Sequence, residues 1–274
     1  METLTLNSWR DFSDAGKELH VERKKIHSDA KTPVGDFLFR GQANAEWPLS
    51  DTLERSIGKG SKLDVLQYHG TVLAVKSEIE LFTKETWDGI PNYDEYQERL
   101  RSDGTFPFSG LPAFEYMVHL RHHGFPSPLL DWTRSLHIAA FFAFDEIPPN
   151  AERVAIHAFI EGDGRGGADS SHESGITIHR LDSEKGHRRH FLQRAEYSTC
   201  TLVKNNVYKY APQEEGFTEN GRGQHRRWKI TLPVSERDVA LKALASIGIT
   251  PYSLFESEES LMKKLGRREF GGGR

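Results

Sequence analysis

The segment Leu136 to Phe144, with Ile138, Phe141, Phe142 and Phe144, is apolar nearly all round. A helix of that kind has no polar face to offer water, so it must lie in the middle of the fold with other elements packed about it. It follows a proline-rich turn, Pro126 to Pro128, which cannot itself be helix interior. The chain has 274 residues, enough for one large domain or two small ones. A single body of this size hides roughly 75% of the surface its unfolded chain exposes, so no covalent staple is needed.

Around that helix the pattern changes character along the chain. Val34 to Gly41, after Pro33, reads as a short buried strand ending in glycine. Val72, Val75, Ile79 and Phe82 fall at helical spacing, and Tyr93 to Arg101 and Phe114 to His123 read as two further helices. Beyond the central helix, Val154 to Ile160, Ile176 to Leu181, Glu196 to Val203 and Arg227 to Leu232 alternate as strands. Gly162 to Gly167 between the first two reads as a flexible loop. Ser235 with Asp238 predicts a capping box for a closing helix, Gly248 its C-terminal cap, and Gly271 to Arg274 a frayed tail. Helices first and strands later predict an α+β fold, an N-terminal strand and helices followed by a mainly antiparallel strand-rich half.

Lysine plus arginine is 36 against 40 aspartates and glutamates, a net charge of −4. That rules out the strongly basic footprint of a protein holding nucleic acid mainly by charge, without excluding nucleic acid as a partner. The best local patch for it is Arg222, His225, Arg226, Arg227 and Trp228, whose plainer reading is a solvated turn before a strand. A single cysteine, Cys200, removes intramolecular disulfides and Cys-rich zinc sites, and a reducing cytoplasm is the expected location. No run of 18 apolar residues crosses a membrane as a helix, and Met1 to Leu6 lacks a signal-peptide core.

Three segments could carry chemistry. Arg40, at the end of a buried strand and followed by Gly41, offers a planar fork for a phosphate or carboxylate, and glycine lets a backbone or ligand approach closely. A structural ion pair is the plainer alternative for Arg40. His122 to Ser135 places His122, Asp131, Thr133 and Ser135 on a rigid loop that feeds the buried helix, where they can meet a ligand. Equally, Thr133 or Ser135 caps that helix, Asp131 closes a turn and Trp132 fills the core. Gln193 to Ser198 brings Glu196 to the start of a strand, facing a cleft or serving as an edge charge. His119 and His123 sit four apart but lack the metalloprotease glutamate between them, so a metal is not expected.

Taken in order, these segments resemble the FRG domain family: Phe39-Arg40-Gly41-Gln42, then His122 through Leu129-Leu130-Asp131-Trp132-Thr133 running into Ile138 to Ala143, then Gln193 to Ser198, then Leu244 to Phe255. The resemblance spans residues 34–265, leaving 1–33 as an N-terminal extension and 266–274 as a tail. Pro128 stands where that motif usually has arginine, with Arg121 and Arg134 the candidates to replace it, and His123 stands where it usually has tyrosine. The motif order is in turn similar to ADP-ribosyltransferases, which implies a split sheet and NAD as substrate. On that resemblance Arg40, Gly41, His122, Asp131, Thr133 and Ser135 form the NAD-binding set, with Thr133 and Ser135 positioning the ribose and His122 also propping the loop, and Glu196 or Gln193 is catalytic. A fixed carboxylate would stabilise the positive charge that grows on the sugar as the nicotinamide bond breaks. The role implied is NAD-dependent ADP-ribose transfer to a macromolecular acceptor, or NAD hydrolysis, by a toxin or phage-defence effector answering to an antitoxin or regulator. A non-catalytic nucleotide- or protein-binding module and a histidine-based nuclease or hydrolase are the alternatives.

Overall fold

A computed structural model describes residues 1–30, 34–102, 110–160, 174–181, 188–205, 207–217 and 226–270. Among these residues nine strands join in one sheet: β1 (Glu2–Thr5), β2 (Phe37–Gln42), β3 (Leu63–Asp64), β4 (Leu130–Thr133), β5 (Arg153–Ile160), β6 (Ser174–His179), β7 (Ala195–Lys204), β8 (Val207–Tyr210) and β9 (Arg226–Pro233). Their order is β1-β9-β5-β2-β4-β7-β8-β3, with β6 on the other edge of β7. Every pairing is antiparallel except that of β1 with β9. The fold is α+β, as the pattern of helices and strands predicts.

The helices among the described residues are α1 (Phe12–Asp29), α2 (Thr52–Ile57), α3 (Val65–Thr83), α4 (Tyr93–Ser102), α5 (Phe114–His122), α6 (Leu136–Asp145), α7 (Arg188–Gln193), α8 (Gln213–Gly216), α9 (Arg237–Ser246), α10 (Pro251–Phe255) and α11 (Glu258–Phe270). The all-apolar segment is α6, and it is buried as its sequence demands: Ile138, Ala139, Ala140, Phe141, Ala143 and Phe144 lie in one core with Phe37 and Phe39 of β2 and Ile156 and Ala158 of β5. A second core forms where α3, α4 and α5 bring Tyr68, Tyr96, Tyr116 and Met117 against Ala195 and Tyr197 of β7. A third, with Leu38, Leu130, Trp132 and Phe159, covers the opposite face of the sheet.

Gly41 fixes how closely α6 lies on β2. A Cβ built there would sit 2.0 Å from the backbone oxygen of Ala139 and 2.6 Å from the backbone nitrogen of Ala143. The helix backbone itself fills the space a side chain would take.

Several expectations need correction. Leu130 to Thr133 is not loop but β4, registered along its length with β7 from Ser198 to Ala195. Ser235 caps nothing: it lies in a 3-10 turn, Val234 to Glu236, and Glu236 holds the N-cap position of α9. Within the N-terminal extension, β1 pairs with β9 and α1 buries Phe12, Ala15, Leu19 and Ile26 at helical spacing in the α6 core. The tail expected from residue 266 is helical through Phe270, with Arg267 bonded to Asp145. The loop Gly162 to Gly167 and the tail Gly271 to Arg274 lie outside the described residues.

Replacing Gly41 by alanine is expected to cost at least about 3 kcal/mol in urea unfolding, because no flexible side chain can give way. Gly266→Ala in α11, where a Cβ meets nothing within 4 Å, is the control and is expected to be neutral or slightly stabilising.

Candidate functional site

Strands β2 and β4 share one registered pair, Phe39 with Thr133, and no further pair among the described residues. Where they part, a cleft of about 950 Å³ opens between the α6 core and the α3–α5 core. Arg40 and Gln42 come from β2, Trp47 and Ser50 from the loop after it, and Glu54, Arg55 and Lys59 from α2 and its end. Arg121 and His122 come from α5, Asp131 and Thr133 from β4, Arg189 and Gln193 from α7, and Phe255 from α10. Five cationic side chains, Arg40, Arg55, Lys59, Arg121 and Arg189, face two carboxylates, Glu54 and Asp131.

The arginines are arranged unequally. Arg121 clamps Asp131 with a fork, Nη2 to Oδ2 at 2.6 Å and Nε to Oδ1 at 3.2 Å. Arg40 Nη1 donates to the backbone oxygen of Asp131 at 2.8 Å and stands 3.8 Å from its carboxylate. Arg40 Nε is buried and meets no acceptor among the described residues. Burial pulls the Arg40 pKa down to about 10, and Arg121 and Arg55 push it the same way as like charges, with Asp131 opposing them. Burial also works to raise Asp131, but Arg121 and Arg40 outweigh it and hold the carboxylate below its ordinary range. Arg55 donates to the backbone oxygen of Ser50, and burial and Arg121 lower its pKa as well. A guanidinium crowded by like charge, with donors to spare, is poised for an anion.

At the back of the cleft Tyr197 and His122 share a hydrogen bond, Tyr197 Oη to Nε2 at 3.1 Å, and His190 stacks on the tyrosine ring. Burial raises the Tyr197 pKa far above neutrality, so the ring carries a fixed phenol. Beneath α2, Asp51 accepts from Glu54 N at 2.8 Å as the helix N-cap, and burial pushes its pKa up to about 6.

The cleft gathers Arg40, Gly41, His122, Asp131, Thr133 and Gln193 of the residues singled out from the sequence. It does not gather Ser135 or Glu196. Ser135 Oγ accepts from Ile138 N at 3.3 Å and caps α6, on the wall of a separate pocket with Arg134 and His137. Glu196 follows the alternation of β7: Ala195 and Tyr197 face the cleft, so Glu196 faces away, 3% exposed, bound by Arg134 Nε and by Arg180 Nε at 3.2 Å. Thr133 Oγ1 donates to the backbone oxygen of Gln193 at 2.6 Å, and Gln193 Nε2 donates to the oxygen of Leu254 at 3.1 Å. Both tie the cleft wall together. Of the two candidates to replace the arginine absent at Pro128, Arg121 is in the cleft and Arg134 is on Glu196.

The remaining candidates lie elsewhere. The His119 and His123 rings lie 4.6 Å apart and tilted by 43°, with Trp87 against His119, and among the described residues no group of three His, Cys, Asp or Glu could hold a metal ion. Burial pushes the Cys200 thiol up to about 12. Of the basic patch, Arg222 and His225 lie outside the described residues, Trp228 is core, Arg226 pairs with Glu22 and Arg227 with Glu214. No helix is long and apolar enough to cross a membrane among the described residues. Sequence reasoning missed Trp47, Arg55, Lys59 and Arg189. Their signal was weak: Arg55 and Lys59 sit four apart, one helical turn, and the others stand alone.

Residues 35–152 match the model of the FRG domain family, so the chain carries an FRG domain. The matched stretch includes Arg40, Arg121, His122 and Asp131 and stops short of Gln193 and Glu196. None of the curated proteins and none of the solved structures matches the chain.

Two outcomes follow from this geometry. Glu196→Gln is expected to lower stability by about 1–2 kcal/mol, through weakened bonds to Arg134 and Arg180, and to leave ligand affinity at the cleft unchanged. For Asp51, a folded pKa of about 6 against an ordinary 3.8 means the native state holds its proton more tightly than the unfolded chain. Its ionisation therefore costs stability, fully above pH 6 and vanishing below about pH 4. Asp51→Asn keeps the cap and is expected to raise the melting temperature at pH 7–8 but not at pH 4, as thermal unfolding across that range will read.

Proposed function

We propose that the FRG domain of this chain binds a nucleotide bearing a diphosphate, NAD being the member of that class its motif order implies. The observation that carries the reading is Arg40: a buried guanidinium with an unmet Nε donor, crowded by Arg55 and Arg121. A phosphate placed there would accept the idle donors and neutralise the mutual repulsion of the three arginines. The volume of about 950 Å³ suits a ligand of dinucleotide size.

Geometry favours binding over transfer. Breaking a nicotinamide–ribose bond calls for a carboxylate beside the growing charge, and Glu196 is committed to Arg134 and Arg180 away from the cleft. Asp131, on the cleft, is already clamped by Arg121. A toxin or defence role acting by ADP-ribose transfer therefore rests on turnover, which the same assay can read.

Calorimetry with NAD, ADP and inorganic pyrophosphate tests the reading, with nicotinamide release followed in parallel. All three are expected to bind, with affinity falling as salt rises. Arg40→Ala is expected to weaken each by about tenfold or more, and Arg40→Lys to recover little of it, because a point charge cannot replace a fork. Failure of all three ligands to bind the wild type would overturn the reading. Nicotinamide release that Arg40→Ala abolishes would extend it to catalysis.

A further inference from the structure

We propose that Trp47 is the base-stacking residue of this cleft, so that the ligand is held by an aromatic base on the indole and by its phosphates on the arginines. The inference rests on the reading of the cleft as a diphosphate site and names the other half of the ligand.

The indole is 47% exposed on the wall of the cleft. The other four tryptophans are spoken for: Trp132 and Trp228 are buried, Trp9 stacks on Phe12, and Trp87 packs against Tyr116 and His119. Trp47 has no ring contact of its own among the described residues. A large aromatic surface left to water in a concave site is a surface waiting for a partner.

Loose packing does not explain that exposure, because the loop that carries Trp47 is pinned on both sides. Trp47 N donates to Asn44 O at 3.2 Å, Glu46 N to Asn44 Oδ1 at 2.9 Å, and Ala45 N to Arg153 O at 2.8 Å. Lys229 Nζ donates to the Ala45 oxygen. On the far side Gln42 Nε2 donates to Pro48 O at 2.9 Å, and Gln42 Oε1 in turn accepts from His157 Nε2 at 2.9 Å. His157 faces Arg40 across β5 and β2 and Lys229 across β5 and β9. It is buried there and stays neutral, so its Nε2–H remains a donor to Gln42 at every pH near 7. The same strand, β2, thus carries Arg40 and, two residues on, the side chain that locks the Trp47 loop. Arg40, which would meet the phosphate, and the aromatic platform are therefore held on one frame, and every base offers a π-face to such a platform.

The test compares ADP with inorganic pyrophosphate on the full chain, by calorimetry, for wild type, Trp47→Ala, Trp47→Phe and Arg40→Ala. Trp47→Ala is expected to weaken ADP by about tenfold or more and leave pyrophosphate within about twofold. Trp47→Phe is expected to keep most of the ADP affinity. Arg40→Ala is expected to weaken both ligands alike. ADP binding that is indifferent to Trp47→Ala, or a loss that falls equally on pyrophosphate, overturns the stacking role while the diphosphate site stands. If neither ligand binds the wild type, both readings fall together.

Discussion

The contact between the β2 backbone at Gly41 and the α6 backbone at Ala139 and Ala143 is the constraint on which the cleft depends. An all-apolar helix must be covered, and the closest cover it finds is a strand with no side chain in the way. Pressing α6 onto one face of β2 settles which face each neighbour takes. Phe37 and Phe39 turn toward the helix, and Arg40, between Phe39 and Gly41, turns to the other side. There it arrives where β2 and β4 part after Phe39 and Thr133. The Phe-Arg-Gly triplet is therefore one device: an anchor, a buried cation and the gap that lets the anchor close.

Charge in the cleft is distributed by the same parting of strands. Had β4 continued its ladder with β2, the Asp131 carbonyl would have bonded to backbone; instead it accepts from Arg40. That single bond holds the guanidinium by one edge and leaves the other edge idle. The Asp131 carboxylate does not take up that edge: it is drawn onto the fork of Arg121 and stands 3.8 Å from Arg40 Nη1. A carboxylate clamped by one arginine and only approached by another leaves the local charge positive and one Arg40 donor without a protein acceptor among the described residues.

Much of this was legible in the chain. The apolar girth of Leu136 to Phe144 announced a central helix, and Arg40 before Gly41 announced a buried cation beside a close approach. What lay hidden was whatever depends on partners distant in sequence. Leu130 to Thr133 reads as loop because four residues between turns give too few alternations, and its strand character comes from β7, over 60 residues later. Phe12, Ala15, Leu19 and Ile26 form a helical stripe whose destination, the α6 core, no local pattern can show. Trp47 and Arg189 carry no periodic signal; only the fold brings them to one cavity. Thr133 and Ser135 were legible in both their senses, as ligand holders or as caps and ties. The second sense is the one the geometry displays, Ser135 capping α6 and the Thr133 hydroxyl bonding the Gln193 carbonyl, while Thr133 also lines the cleft.

The case of Glu196 turns on a period of two. On β7 the side chains alternate, so Tyr197 facing His122 in the cleft obliges Glu196 to face away. A strand slip of one residue would exchange them, but Tyr197 is fully buried in the second core, between His122 and His190. Four registered pairs with β4 hold the same phase. The packing of a single tyrosine thus denies the cleft a carboxylate from this strand and leaves it a predominantly cationic lining. Such a lining holds an anionic ligand in its ground state at least as well as it would any cationic transition state. On that balance of charge, the lining suits an anion better than a growing cation, and that is the ground on which the proposed phosphate reading stands.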